Sequence, residues 1–289
     1  VTLNIPTDAL FVPTDEQGRQ FHDEEATFWS LPAPAADGTV AAGSVLEAAA
    51  SGVKLLDLDA LLDELGARIF VAESTSQGPA LVAETAWSLQ TASRFALDCA
   101  QHVLAGVAPA APEVAGTLQD VVAAARKWLD RAADADTGLL GRYSRLGMAR
   151  RLRRQGDQVA HLAFDLAIDD EVADVDLFDD PHWTAVAAVR DAVLAAVEAV
   201  RHDSAPRFTQ AENTRYEEGE DTDHAPVSAT FETPWGPFRA GLRKGALPAW
   251  EAATEAAERA RQSAADSGGT AAAERAWQRD RLMQALRGS

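Results

Sequence analysis

The sequence predicts a mainly α-helical fold: a helical bundle of about four core helices, with a small β-containing N-terminal region, a β-hairpin and a C-terminal helical hairpin. Three observations predict it. Hydrophobic residues make up 47% of the 289 residues while aromatics reach only 7%, so much of the apolar content is alanine, the strongest helix former and a small contributor of core area. Apolar residues in the middle of the chain recur at spacings of three and four. Clusters of Gly, Pro and Ser interrupt those runs where connections between helices are needed. The length suits one large domain or two modest ones. The expected divisions are a mixed α/β region over 1–75, the helical bundle over 76–204, an acidic linker or loop over 205–226, and the hairpin with two helices over 227–289.

Each element has its own signal. Pro6, Pro13, Pro32 and Pro34 punctuate the first 45 residues, which read as irregular or β-like, with a short strand at Thr27-Phe28-Trp29-Ser30-Leu31. Residues Leu56 to Leu65 alternate Leu and Asp in an amphipathic pattern that Gly66 stops, predicting a short helix. Ala67 to Ala72 combines β-branched and aromatic residues and predicts a strand. From Pro79 to Leu104 the residues Val82, Ala86, Leu89, Phe95, Cys99 and Val103 predict one long helix, ended by Gly106, Pro109 and Pro112. Further helices are expected from Thr117 to Ala133, from Met148 to Ile168, and from Ala185 to Arg201, the last opened by a turn at Pro181-His182-Trp183-Thr184. Residues 203–226 are polar and acidic. Val227 to Phe231 and Phe238 to Leu242 flank Thr233-Pro234-Trp235-Gly236, a hairpin signature, and the sequence leaves open whether this hairpin pairs with N-terminal strands. Trp235, Phe238 and Trp250 read as residues that pin it down. Two helices, Pro248 to Ala265 and Thr270 to Leu286, are separated by Ser267-Gly268-Gly269 and predict an antiparallel helical hairpin.

Charge and cysteine content narrow the function classes. With 26 basic and 45 acidic residues the formal charge is −19, which repels phosphate backbones and argues against general nucleic-acid binding. Cys99 is the single cysteine, so neither an intramolecular disulfide framework nor a multi-cysteine zinc site is expected, which suits a reducing cytoplasm. It lies on an apolar stripe and reads as a buried, inert thiol. Residues Val1 to Asp23 lack the basic start and apolar core of a signal peptide, and no uninterrupted apolar run is long enough to cross a membrane. Abundant Ala, Arg and Asp also fit a GC-rich bacterial genome. The phosphate loop Gly-x-x-x-x-Gly-Lys-Ser/Thr, the dinucleotide motif Gly-x-Gly-x-x-Gly, the Gly-x-Ser-x-Gly elbow and the His-Glu-x-x-His metal motif do not occur.

Two constellations carry candidate chemistry. Asp98 with His102, and His161 with Asp165, stand four residues apart, so each pair shares a helix face. If the two faces met, two imidazoles and two carboxylates would suit a divalent metal for hydrolysis. The plainer alternative is two surface pairs. His22-Asp23-Glu24-Glu25 reads as a solvated turn. Arg142, Arg145, Arg150, Arg151, Arg153 and Arg154 form a run of six arginines without an acid, a candidate anion- or nucleotide-sensing site, since guanidinium groups bind phosphate or carboxylate with two parallel hydrogen bonds. Asp165 to Asp180 then holds eight acids and no base, and the plainer alternative is that the two runs compensate each other. The acidic run lacks the spacing of a calcium loop.

Residues Trp87 to Leu104, with Arg94-Phe95-Ala96-Leu97 running into Asp98-Cys99-Ala100-Gln101-His102-Val103-Leu104, followed by Ala124-Ala125-Arg126-Lys127-Trp128-Leu129, resemble successive helices of bacterial helical proteins of the immunity type. The resemblance spans residues 80–202 and excludes the C-terminal hairpin and helices. It implies a helical bundle that works by binding another protein, without catalysis and without a cofactor. An acidic surface would speed association with a basic partner such as a nuclease toxin.

Overall fold

The computed structural model describes residues 5–6, 8–14, 19–22, 27–30, 54–75, 78–108, 112–133, 147–152, 154, 181–202, 227–233, 236–242 and 249–288. The N-terminal part contains β1 (Leu10–Thr14), β2 (Arg19–His22), β3 (Thr27–Ser30), α1 (Leu58–Leu61), β4 (Arg68–Thr75) and β5 (Gly78–Glu84). Then come α2 (Leu89–Val107), α3 (Pro112–Ala133), a helical stretch over 147–152, α4 (Pro181–His202), β6 (Val227–Thr233), β7 (Gly236–Leu242), α5 (Ala249–Asp266) and α6 (Ala271–Arg287). The fold is mainly α, as the sequence predicts. Among the described residues no helix is long and apolar enough to cross a membrane.

Strands β1, β4 and β5 form an antiparallel sheet in that order, with Phe11 opposite Val71 and Val12 opposite Phe70. Leu56 exchanges two backbone hydrogen bonds with Phe11 (2.7 and 2.9 Å) and so occupies part of the free edge of β1. Gly66 has a different role from the helix stop read in the sequence. A Cβ there would meet the Thr14 backbone nitrogen and oxygen at 2.6 Å, so only glycine lets this backbone run against β1. The Gly66 carbonyl accepts a hydrogen bond from Trp87 Nε1 at 2.9 Å, tying the sheet to the entry of α2. The predicted helix over Leu56 to Leu65 shrinks to α1, started by Asp57, whose side chain accepts from Ala60 N at 2.8 Å.

The largest correction falls at the expected start of the long helix. Residues Gly78–Glu84 are strand β5, paired with β4 from Thr75–Gly78 to Phe70–Glu84. Pro79 suits this position because β5 is an edge strand, where a missing N–H need not break a ladder. The helix begins only after Ser88, which has extended backbone and accepts from Thr91 N at 3.2 Å. A short apolar run such as Ala80-Leu81-Val82-Ala83 fits either period, and pairing with β4 decides it. Helix α3 begins at Pro112, five residues earlier than expected, and α4 begins at Pro181, within the expected turn. Both use proline at the first helical position, where its missing N–H costs nothing. Of the predicted helix from Met148 to Ile168, residues 147–152 are helical and 155–168 lie outside the described residues, as does the acidic segment 203–226. Strands β6 and β7 form a hairpin with Phe231 opposite Phe238. Among the described residues it is a two-stranded sheet of its own, not paired with the N-terminal strands.

The bundle core is built from small side chains. Helix α4 buries Ala185, Ala188, Ala192, Ala195, Ala196 and Ala199 together with Val186, Val189, Val193, Val197 and Val200. Helix α5 buries Ala249, Ala252, Ala253, Ala256, Ala257, Ala260 and Ser263, at helical spacings of three and four. Helix α2 contributes Ala92, Ser93, Ala96, Cys99 and Ala100, and the three helices pack mutually. Ser93 Oγ lies 2.8 Å from the Ala195 carbonyl. A side chain of two heavy atoms reaches a neighbouring backbone only where the helix axes approach closely, which is what alanine permits. One hydrophobic cluster runs from Ile5 and Phe11 through the bundle to Leu282 and Leu286. The sheet of β1, β4 and β5, the bundle and the C-terminal helices therefore share a core.

Candidate functional site

Helix α6 carries the unusual feature of the molecule. Thr270 caps it, accepting from Ala273 N at 3.0 Å, and every fourth residue then faces inward: Glu274, Gln278, Leu282 and Leu286 are buried. The first two of these are polar. An unpaired carboxylate or amide there would cost several kcal/mol, and the surrounding helices supply the partners. His102 Nδ1 lies 2.6 Å from Glu274 Oε2, and Gln278 Nε2 donates to Glu274 Oε1 at 3.0 Å and to the Ala257 carbonyl at 2.9 Å. Arg261 donates through Nη1 to Gln278 Oε1 at 3.0 Å and through Nη2 to Asp63 Oδ1 at 2.8 Å. Arg275 completes the chain, donating to Asp63 Oδ2 (2.8 Å), Asp59 Oδ1 (3.0 Å) and the Asp59 carbonyl (2.7 Å). One connected network thus joins α1, α2, α5 and α6. The carboxylates of Asp63 and Asp59 raise the Arg275 pKa further.

A second cluster sits beside it. Asp98 is buried on α2, and its carboxylate accepts from Arg281 of α6 and pairs with Arg126 of α3 at 2.6 Å. Arg126 also donates to the Leu97 carbonyl at 3.2 Å, and Arg281 Nη1 donates to Gln284 at 3.0 Å. The His102 ring lies flat on Trp277, with centroids 4.0 Å apart and planes within 3°. Asp98, Arg126, His102, Trp277 and Arg281 line an open groove of about 660 Å³ between α2, α3 and α6. Behind it, burial pushes the Cys99 thiol pKa well up, with the negative charges of Glu274 and Asp98 adding to the shift and Arg261 and Arg281 opposing it. The thiol is held neutral, as expected of an inert core cysteine.

The structure separates the sequence candidates. Asp98 and His102 share a face of α2, yet each takes its partners from other helices, Asp98 from Arg281 and Arg126 and His102 from Glu274. They are cross-helix anchors in place of a simple surface pair. His161 and Asp165 lie outside the described residues, and among the described residues no three His, Cys, Asp or Glu side chains gather as a metal group. Arg142, Arg145 and Arg153 also lie outside them, whereas Arg150, Arg151 and Arg154 are exposed on the stretch that follows α3. Arg151 sits with Cζ 5.2 Å from the centre of the Trp128 ring, and Arg131 of α3 sits 5.1 Å from the same centre. Glu274, Gln278, Trp277 and Arg281 are not among the candidates legible in the sequence, and Arg126 stands there only within the segment that carries the resemblance. The signal for the first two was the four-residue stripe that ends in Leu282 and Leu286, with polar members at positions where core was due. Compared with protein-family models, curated proteins and solved structures, the chain matches none.

Proposed function

We propose that the protein is a non-catalytic interaction module of the immunity type, acting in the cytoplasm, and that the groove between α2, α3 and α6 receives its partner. The observation that carries this reading is the half-buried edge of the groove, where Trp277 lies stacked on the exposed His102 beside Arg281 and Arg126. Tryptophan and arginine are the residue types that dominate binding energy at protein interfaces. Here they are held in place before a partner arrives: Trp277 by the imidazole, Arg281 and Arg126 by Asp98. Fixed side chains lose less rotamer freedom on association. The overall charge of −19 favours a basic partner through faster encounter, and the single cysteine is in keeping with a reducing compartment.

The test is capture from the native host with the wild-type chain and with Trp277→Ala as baits, followed by titration of the purified captured protein. The expected result is a basic protein whose affinity falls at least about tenfold with Trp277→Ala and weakens as salt rises. Failure to rebuild a complex from pure components, or equal affinity for both baits at matched thermal stability, overturns the reading.

A further inference from the structure

We infer that the face built from Trp128, Arg131 and Arg151 binds a phosphate chain, the triphosphate or diphosphate group of a small molecule. None of the three lines the groove assigned to a protein partner, and the inference does not depend on that reading.

The argument begins with how arginines are used elsewhere in the molecule. Arg68 donates to both oxygens of Glu84 at 2.7 Å, Arg94 pairs with Asp130 at 3.0 Å, and Arg275 grips Asp59 and Asp63. Their forks are filled by carboxylates. Arg131 and Arg151 are different: both are exposed, and among the described residues neither has a carboxylate partner. Each is held over the Trp128 indole, at 5.1 and 5.2 Å. A guanidinium over an aromatic face is positioned by its charge, so the contact consumes none of its N–H donors. Those donors lie in the guanidinium plane and stay available for paired hydrogen bonds to an oxyanion.

Lys127 and Arg154 are also exposed on the same two segments, and among the described residues neither has a carboxylate partner. Arg131 alone has a structural explanation, since a cation in the last turn of α3 complements the helix dipole. That explanation does not extend to Arg151, Arg154 or Lys127. A phosphate chain is the fitting class because its charged oxygens, spread over several ångströms, offer acceptors to more than one guanidinium. A long nucleic acid fits less well, because beyond this patch it would meet the field of a chain with net charge −19.

The experiment is calorimetric titration at constant ionic strength with inorganic triphosphate, with ATP, and with sulfate, using the full chain. Saturable binding of triphosphate is expected, tighter than sulfate. Affinity should fall at least about tenfold in Arg131→Gln/Arg151→Gln and stay unchanged in Arg68→Gln, whose fork is already filled. Equal affinity for triphosphate and ATP assigns recognition to the phosphates alone. Tighter ATP binding adds a contact to the nucleoside. Absence of saturable triphosphate binding, or full retention of it in the folded double variant, overturns the proposal. The variant's fold is checked by its thermal midpoint, which should hold because both side chains are exposed.

Discussion

Two interfaces meet along helix α2 and stabilise it by opposite means. On one side Ala92, Ala96 and Ala100 contribute to the alanine-lined contact with α4 and α5. On the other, Asp98 and His102 reach to α6 through Arg281 and Glu274. The alanine side gains from close backbone approach and dispersion, and its specificity is one of volume. The polar side adds little net stability as an assembled unit, because desolvating Glu274 and Asp98 offsets most of what their pairing returns. What it adds is a penalty for misplacement: α6 slid or rotated by one residue would leave a buried carboxylate without its partner. The difference teaches which substitutions each side tolerates. The alanine side resists growth, and the polar side resists loss of one partner at a time.

The sharpest way to break the comparison is to remove one partner of the polar side. His102→Ala leaves Glu274, only 4% exposed, without the group 2.6 Å from its carboxylate. Breaking a buried pair costs about 3–5 kcal/mol, and the half-exposed side of His102 brings the expected loss to about 2–3 kcal/mol. Urea unfolding should show the midpoint move with an unchanged slope. The paired replacement Glu274→Leu/Gln278→Leu should cost less than the single change, because no orphaned carboxylate remains and Arg261, though it loses Gln278, keeps Asp63. If the single change is harmless or the double change is the worse of the two, the account of this interface is wrong.

Growth on the alanine side is the next largest effect. Ala256 is fully buried on α5, the helix that packs against both α4 and α2. Ala256→Leu inserts three carbons where the axes are already close and should cost about 1–3 kcal/mol. Ala265→Leu, at an exposed position of the same helix, should be near neutral. Equal effects at the two positions would show that the close approach of α2 and α4 at Ser93 and Ala195 is not shared by α5.

These interfaces also mark where sequence reasoning reaches its limit. The helices of the C-terminal hairpin were legible to within a residue or two, because Ser267-Gly268-Gly269 breaks the pattern and Gly268 takes a left-handed backbone (φ +81°) that glycine favours. The alanine faces were legible as periodicity, although nothing in the period says which helices meet. Strand β5 was misread because its length allows either period and its partner strand decides. The polar network was least legible: His102 and Glu274 are 172 positions apart, and a carboxylate in a helix reads as solvent-facing until its partner is known. Asp98 and His102 were singled out for their shared face, but their use follows from Arg281, Arg126 and Glu274.

The smallest expected effect tests a charge placed on the alanine side, where the comparison says none should be comfortable. Asp191 sits among the small residues of α4, buried, and accepts from Arg190 Nε and Nη2 at 3.1 and 3.0 Å. Burial raises its pKa above the usual aspartate value, and the nearby positive charges of Arg190 and Arg259 only partly oppose the shift. The folded state therefore holds this proton more tightly than the unfolded chain. Its contribution to stability is full below the ordinary aspartate pKa and is lost as pH rises through the raised folded value. Asp191→Asn removes that dependence. The variant should match wild type in acid and become the more stable of the two as pH climbs past the raised value, with the gap constant thereafter. Thermal midpoints of both proteins from mildly acidic to neutral pH decide the matter. A variant that loses stability at neutral pH relative to acid would mean that the hydrogen bonds from Arg190 outweigh the burial of the charge, and that the alanine side accommodates ions after all.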